Sequence, residues 1–309
     1  MGISRLQLFR RFQAVPLIDT ILERQYTADA QGNDTHGPDK DPWHTAFHAS
    51  SFPLDEHTSC GRKAVYGLAN FAKPDDGIST QGVAIMEAGV DIELRQVERF
   101  HRAGVLLSEP PGQPQTSSTF PEAWLVGHSD AVILPPGWKS PHPVEIKGKD
   151  SDVVDAMRAG QKGWDAPHRA QLMCYIFLSR QYDWHGPNGE LLEPATDGTL
   201  LYVARNRPRK VAEFYFEYDE QLVKAALARL WDWKEAFKAD VLPERPKEWR
   251  WTFEPCKWCG YKKKCKEDVK AGVDKISMSA LVEVTKAIDS GWDLDKVRNR
   301  VASRWEKAE

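Results

Sequence analysis

The feature that most limits how this chain can fold is a set of thiols placed near its two ends. Cys256-Lys-Trp-Cys259-Gly-Tyr-Lys-Lys-Lys-Cys265 is a C-x2-C-x5-C run, and Cys60 stands 196 positions before its first member. Three clustered thiolates need a fourth ligand to close a tetrahedral zinc site or an iron-sulfur cubane, and Cys60 is the natural fourth. Spacing alone leaves zinc and iron-sulfur equally open. Either would tie distant segments together, so that its loss destabilises the fold. The fifth cysteine, Cys174, lies among Leu172, Met173 and Ile176 and reads as a buried apolar thiol.

At 309 residues, 41% hydrophobic and 28% charged, the chain has a globular composition and enough length for one large catalytic domain with appendages or two small ones. No apolar run approaches the roughly 20 residues that span a bilayer. Arg5, Arg10 and Arg11 lie among apolar residues at the N-terminus, but no long apolar core or cleavage site follows, so the protein reads as cytoplasmic with no membrane partner. A net charge of -3 excludes a global basic field, and nucleic-acid binding cannot be argued from bulk charge. Two local clusters are candidate phosphate contacts: Arg205, Arg207, Arg209 and Lys210, then Lys257, Lys262, Lys263, Lys264 and Lys266.

Along the chain, residues 1–50 read as an N-terminal arm, turn-rich from about Tyr26 onward. A helix is predicted from Cys60 with Ser59 or Thr58 as its cap, and another from about Gln81 to Ala103. Strands are predicted over Val105 to Ser108, Ala123 to Leu134 and Pro143 to Gly148, the last two joined by the Pro135-Pro136-Gly137 turn into an antiparallel hairpin. Asp165 and Pro167 open a helix that runs to Leu178. Thr199 to Arg205 and Val211 to Tyr218 read as strands, and Gln221 to Ala239 as an amphipathic helix. The last stretch, 272–309, reads as a helical tail.

The hairpin carries the chemistry. Asp130 lies on its first strand and Glu145-Ile146-Lys147 on its second, where period two puts Glu145 and Lys147 on one face and pairing brings Asp130 beside them. Two hard oxygen ligands and an ammonium suit Mg²⁺ or Mn²⁺ at a phosphate, with the lysine orienting water or neutralising charge. The tripeptide itself is cheap: Asp232-Trp-Lys234 and Asp268-Val-Lys270 repeat it in surroundings that read as solvated pairs. Only Glu145-Ile-Lys147 lies in a strand paired with an upstream aspartate.

This constellation resembles the core of the PD-(D/E)XK nucleases, and further residues make it similar to their RecB-like branch. Gln171 and Tyr175 stand at i,i+4 in the helix after the lysine strand, resembling the branch's QxxxY motif. Gly89-Val-Asp-Ile-Glu93 resembles its GxxxH motif with Glu in the place of His; Glu87 and Glu98 are rivals on the same helix. Cys60 with the late trio resembles the iron-sulfur staple of the AddB nuclease domain and the CRISPR-associated Cas-four exonucleases, and Arg62 and Tyr66 add to that likeness. The resemblance implies an α/β restriction-endonuclease-like core, a mixed sheet flanked by helices, over residues 51–271 with a cysteine-stapled helical subdomain. It implies Mg²⁺ or Mn²⁺ on Asp130, Glu145, Glu93 and the Ile146 carbonyl, Lys147, Gln171 and Tyr175 as active-site residues, and a [4Fe-4S] cluster on Cys60, Cys256, Cys259 and Cys265, with structural zinc as the alternative. The implied activity is DNA exonuclease action on single strands or duplex ends in recombination, repair or CRISPR adaptation, with a helicase, recombinase or integrase as partner. The competing reading is a non-catalytic DNA-end-binding adaptor.

Overall fold

The computed structural model describes residues 46–54, 59–68, 80–111, 118–245, 256 and 259–273. The arm up to residue 45, Thr58, Lys257 and the tail beyond Val273 lie outside these. A three-stranded sheet has the order β1-β3-β2, built from β1 (Phe47–His48), β2 (Ser118–Phe120) and β3 (Leu125–Gly127). A four-stranded sheet runs β4-β5-β6-β7, from β4 (Ala131–Ile133), β5 (His142–Lys149), β6 (Asp197–Ala204) and β7 (Arg207–Glu217). Both sheets are mixed: β1 is parallel to β3 and β5 to β6, the other pairs antiparallel. The helices are α1 (Gly61–Leu68), α2 (Thr80–Arg102), α3 (Ser151–Arg158), α4 (Ala166–Ser179), α5 (Glu220–Lys238) and α6 (Lys262–Ala271).

The expected α/β architecture is present, with two sheets in place of one. The single strand expected over Ala123 to Leu134 starts later, after Trp124 ends a 3-10 turn in a left-handed backbone with φ of 51°, and is broken at residues 128–130, between β3 and β4. One apolar run therefore feeds both sheets. The hairpin holds as expected: β4 and β5 are antiparallel, with Ala131 opposite Val144 and Ile133 opposite His142.

Helix α4 explains how the sheets stay together. Every residue from Leu172 to Ser179 is buried, and a helix covered all round needs partners on all sides. It packs on β5 and β6 on one side, and on β2, β3 and the turn Ala49–Ser51 on the other. Gly127 permits this approach, since an added Cβ would stand 2.8 Å from Ala49 Cβ and 2.9 Å from Tyr175 Cε1. The opposite face of the four-stranded sheet is covered by α2, whose Ile92 and Val97 pack with Val144, Ile146, Leu201 and Val203. Alternation along β5 thus sends His142, Val144, Ile146 and Gly148 toward the α2 side and Glu145, Lys147 and Lys149 toward α4.

Helix α1 begins as the cysteine pattern requires but with a different cap. Ser59 Oγ donates to the Ser51 carbonyl at 2.7 Å instead of capping, and the Cys60 carbonyl accepts the first helical bond from Ala64 N at 3.0 Å. Cys60 is thereby fixed at the helix start. Among the described residues, no helix is long and apolar enough to cross a membrane.

Candidate functional site

Asp130 belongs to the bend after β3 and not to a strand. The β4–β5 ladder ends at Ala131 and Val144, which leaves the next backbone donor of β5 open, and Asp130 Oδ2 accepts it: Ile146 N donates at 2.6 Å. The carboxylate replaces a ladder bond and is anchored beside Glu145. Glu145 is 0% exposed, and neither of its carboxylate oxygens accepts a hydrogen bond of normal geometry. It is in close contact with Lys147 Nζ, as an ion pair, and with the Asp130 carboxyl.

The electrostatics follow from crowding two acids in a buried place. Burial, then the Asp130 charge, pushes the Glu145 carboxyl well above the usual range, against the pull of Lys147. Burial also raises Asp130, opposed by Lys147 and by the Ile146 amide. For Lys147 burial works against its charge, but Glu145, Asp130 and Glu93 outweigh it and raise its pKa. Without further positive charge the two carboxylates cannot both ionise at low cost. Two buried carboxylates that share one ammonium fit a hard divalent cation.

Helix α4 lays a second row of polar groups along these residues. Gln171 Nε2 donates to Tyr175 Oη at 2.8 Å, so the i,i+4 pair is made as a real contact. Burial, and next the Glu145 and Asp130 charges, push the Tyr175 phenol well up, which puts it within electrostatic reach of both acids. Cys174 is buried as expected, and it too feels Glu145. At the N-terminus of α4, Asp165 occupies the cap position without capping; its carboxylate accepts from Lys149 Nζ at 2.6 Å. Asp165 N and His168 Nδ1 each stand 3.0 Å from Tyr202 Oη.

Of the three acids weighed on α2, Glu93 is half-buried and raises the pKa of Lys147, while Glu87 is exposed and Glu98 pairs with Arg102. Neither repeat of the acidic tripeptide is the solvated pair expected. Lys234 is buried, donating to the Glu122 carbonyl at 2.6 Å with Trp231 and Trp124 around it. Asp268 is buried and accepts from Tyr66 Oη at 2.7 Å. Two of the four members of the first basic cluster are committed to other partners: Arg205 pairs with Asp150, and Lys210 with Asp155 and Ser151.

Cys60, Cys256, Cys259 and Cys265 line one cavity, together with Arg62, Lys63, Tyr66, Arg245, Tyr261 and Lys262. Arg62 is 7% exposed, donating to the Pro243 and Val273 carbonyls at 2.8 and 3.1 Å and to Tyr66 Oη. Burial pushes the Cys60 thiol up to about 11, with Cys259 and Cys265 adding to the rise. Four converging thiols beside buried and lining cations suit a metal centre that would hold them as thiolates. Among the described residues, no group of three or more His, Cys, Asp or Glu side chains is arranged so that it could hold a metal ion as it stands. The carboxylates therefore form a pair, with Glu93 acting from further off through Lys147.

No family model matches the chain, and no curated protein does. Among solved structures it is similar to the crystal structure of LHK-Exo in complex with dAMP, at 11% identity over 65% of this chain and 91% of that one, with a TM-score of 0.42. It is also similar to the crystal structure of an alkaline exonuclease (LHK-Exo) from Laribacter hongkongensis, at 13% identity over 64% and 93% of the two chains, with a TM-score of 0.40.

Proposed function

We propose that this protein is a metal-dependent deoxyribonuclease that hydrolyses phosphodiester bonds, acting as an exonuclease on single-stranded or end-processed DNA. The observation that carries the reading is the Glu145 carboxylate, buried with both oxygens lacking a normal hydrogen bond and set between Asp130 and Lys147. Keeping such a charge cluster inside a fold costs stability, and a catalytic use accounts for its being kept. Asp130, Glu145 and the Ile146 carbonyl would hold Mg²⁺ or Mn²⁺, which when bound supplies a water of lowered pKa and stabilises charge on the phosphate. Glu93 would contribute from α2.

The chain's own groups divide the remaining work. Lys147, whose ammonium is kept charged by the two acids, neutralises the phosphate and orients the attacking water. The Ile146 amide holds Asp130 in place, so that the acid does not swing toward solvent. Tyr175, fixed by Gln171, closes one wall beside Glu145 and limits bulk water. The four cysteines would hold a [4Fe-4S] cluster, with zinc as the alternative, as a structural staple; elemental analysis of protein purified anaerobically distinguishes iron from zinc.

Degradation of end-labelled linear and closed circular single-stranded DNA with Mn²⁺ or Mg²⁺, by wild type beside Lys147→Ala, tests the activity. Loss of the linear substrate alone, abolished by the substitution, is the expected result. Cleavage of circles would make the enzyme an endonuclease. No cleavage by metal-loaded wild type would favour a DNA-end-binding adaptor.

A further inference from the structure

The polar row on α4 extends past Gln171 to a residue that no sequence motif singled out. His168, Gln171 and Tyr175 stand at i, i+3 and i+7, on one helix face, and that face lies along Glu145, Lys147 and Lys149. His168 is held through one ring nitrogen. Tyr202 Oη accepts the Asp165 backbone N–H at 3.0 Å, leaving its own O–H to donate to His168 Nδ1, 3.0 Å away. An imidazole that accepts at Nδ1 carries its proton at Nε2 in the neutral form. Asp165 stands 3.5 Å from the same Nδ1, but its carboxylate is engaged by Lys149 at 2.6 Å. The polar contacts of His168 among the described residues are all at Nδ1, so Nε2–H remains as a donor.

The surroundings keep this donor uncharged. Burial, with Lys147 and Lys149 adding repulsion, pushes the ring down to about 4. A third cation beside two lysines would be costly, whereas a neutral N–H adds a directed hydrogen bond to an anion without further repulsion. We propose that His168 is a further substrate-binding residue of the carboxylate site, donating Nε2–H to a non-bridging oxygen of the DNA phosphate that Lys147 neutralises. This rests on the nuclease reading. Tyr202 is a positioning residue, acting by fixing the tautomer.

The test compares wild type, Lys147→Ala, His168→Ala, His168→Gln and Tyr202→Phe on a 5′-labelled single-stranded oligonucleotide with Mn²⁺. Loss of one hydrogen bond to a charged group corresponds to about tenfold in kcat/KM, expected for His168→Ala chiefly as a raised KM. His168→Gln, whose side-chain amide offers N–H near the Nε2 position, is expected to restore most of it. Tyr202→Phe frees Nδ1 to take the proton against Asp165, turning Nε2 into an acceptor, and is expected to lose activity with the ring intact. Long-range ¹H–¹⁵N spectra should then show Nε2–H in wild type and Nδ1–H in Tyr202→Phe. The Nδ1–H tautomer in wild type, or an active wild type equalled by His168→Ala, would overturn the proposal alone. If His168→Ala does not fold, equal activity of His168→Gln and Tyr202→Phe overturns it instead. A wild type that cleaves nothing defeats the nuclease reading, and this assignment with it.

Discussion

The carboxylate site and the cysteine cavity are built by opposite means. Glu145 and Lys147 stand on β5, whose register is fixed by β4 and β6 and whose reverse face is packed by α2, and Asp130 is held beside them by the Ile146 amide, so the sheet keeps them in place without help from a ligand. Cys60 immediately precedes α1, Cys256 and Cys259 precede α6 and Cys265 lies in it, and the two segments are joined by Arg62, Tyr66 and Asp268 across about 200 residues. The first site is preformed and charged at a cost; the second is assembled from remote pieces and, under the proposed staple, would gain stability from a metal that binds its thiols. A metal should therefore act on chemistry in the one and on folding in the other.

The largest effect expected from this contrast is on the cysteine side. On the proposed metal staple, iron-sulfur or zinc, Cys256→Ser with Cys259→Ser should abolish metal binding and lower Tm by about 10 °C or more, a loss of several kcal/mol for a structural metal. Circular dichroism melts of anaerobically purified protein check this. A doubly substituted protein that melts with wild type would mean the staple does not hold the fold.

Next comes Glu145→Gln. Because burial and Asp130 raise the folded pKa of Glu145, the unfolded chain releases that proton first, and metal-free wild type loses stability as pH rises through the raised pKa. Glu145→Gln should remove this slope and melt at or above metal-free wild type, while losing the stabilisation that bound Mn²⁺ would give, about 2.7 kcal/mol at a hundredfold excess over Kd. Melts at several pH values, with and without Mn²⁺, decide it. Destabilisation of the metal-free variant would contradict the preformed, unfavourable character of the site.

A smaller effect belongs to His168. Its folded pKa of about 4 lies below the ordinary 6.5, so the unfolded chain binds the proton first as pH falls. The contribution is fully present above 6.5 and is lost between 6.5 and about 4, by at most ~3 kcal/mol. Urea titrations of wild type and His168→Gln at pH 7 and pH 4.5 should show the shallower pH dependence in the variant.

Much of this was legible in the residues. The hairpin and the Glu145 and Lys147 face follow from period two, the four cysteines that line one cavity were grouped by ligand number, and the Gln171 and Tyr175 pair was found through the resemblance to the QxxxY motif. The break of the 123–134 run at residues 128–130 was not legible, because the apolar residues on its two sides read as one strand. Asp130 consequently sits off the strand yet reaches the same place by taking the Ile146 amide. Lys149 was within reach of the same alternation that found Lys147, and with Asp165 read only as a cap, the Lys149, Asp165, Tyr202 and His168 network stayed hidden. That network depends on pairing across β5 and β6, where Lys147 lies opposite Tyr202, a contact 55 residues apart that local patterning does not reveal.

The most direct measurement is anomalous diffraction from crystals soaked in Mn²⁺. A peak between the Asp130 and Glu145 carboxylates and the Ile146 carbonyl, absent in Glu145→Gln, is the result expected of a nuclease centre. A wild type with no peak there would contradict it.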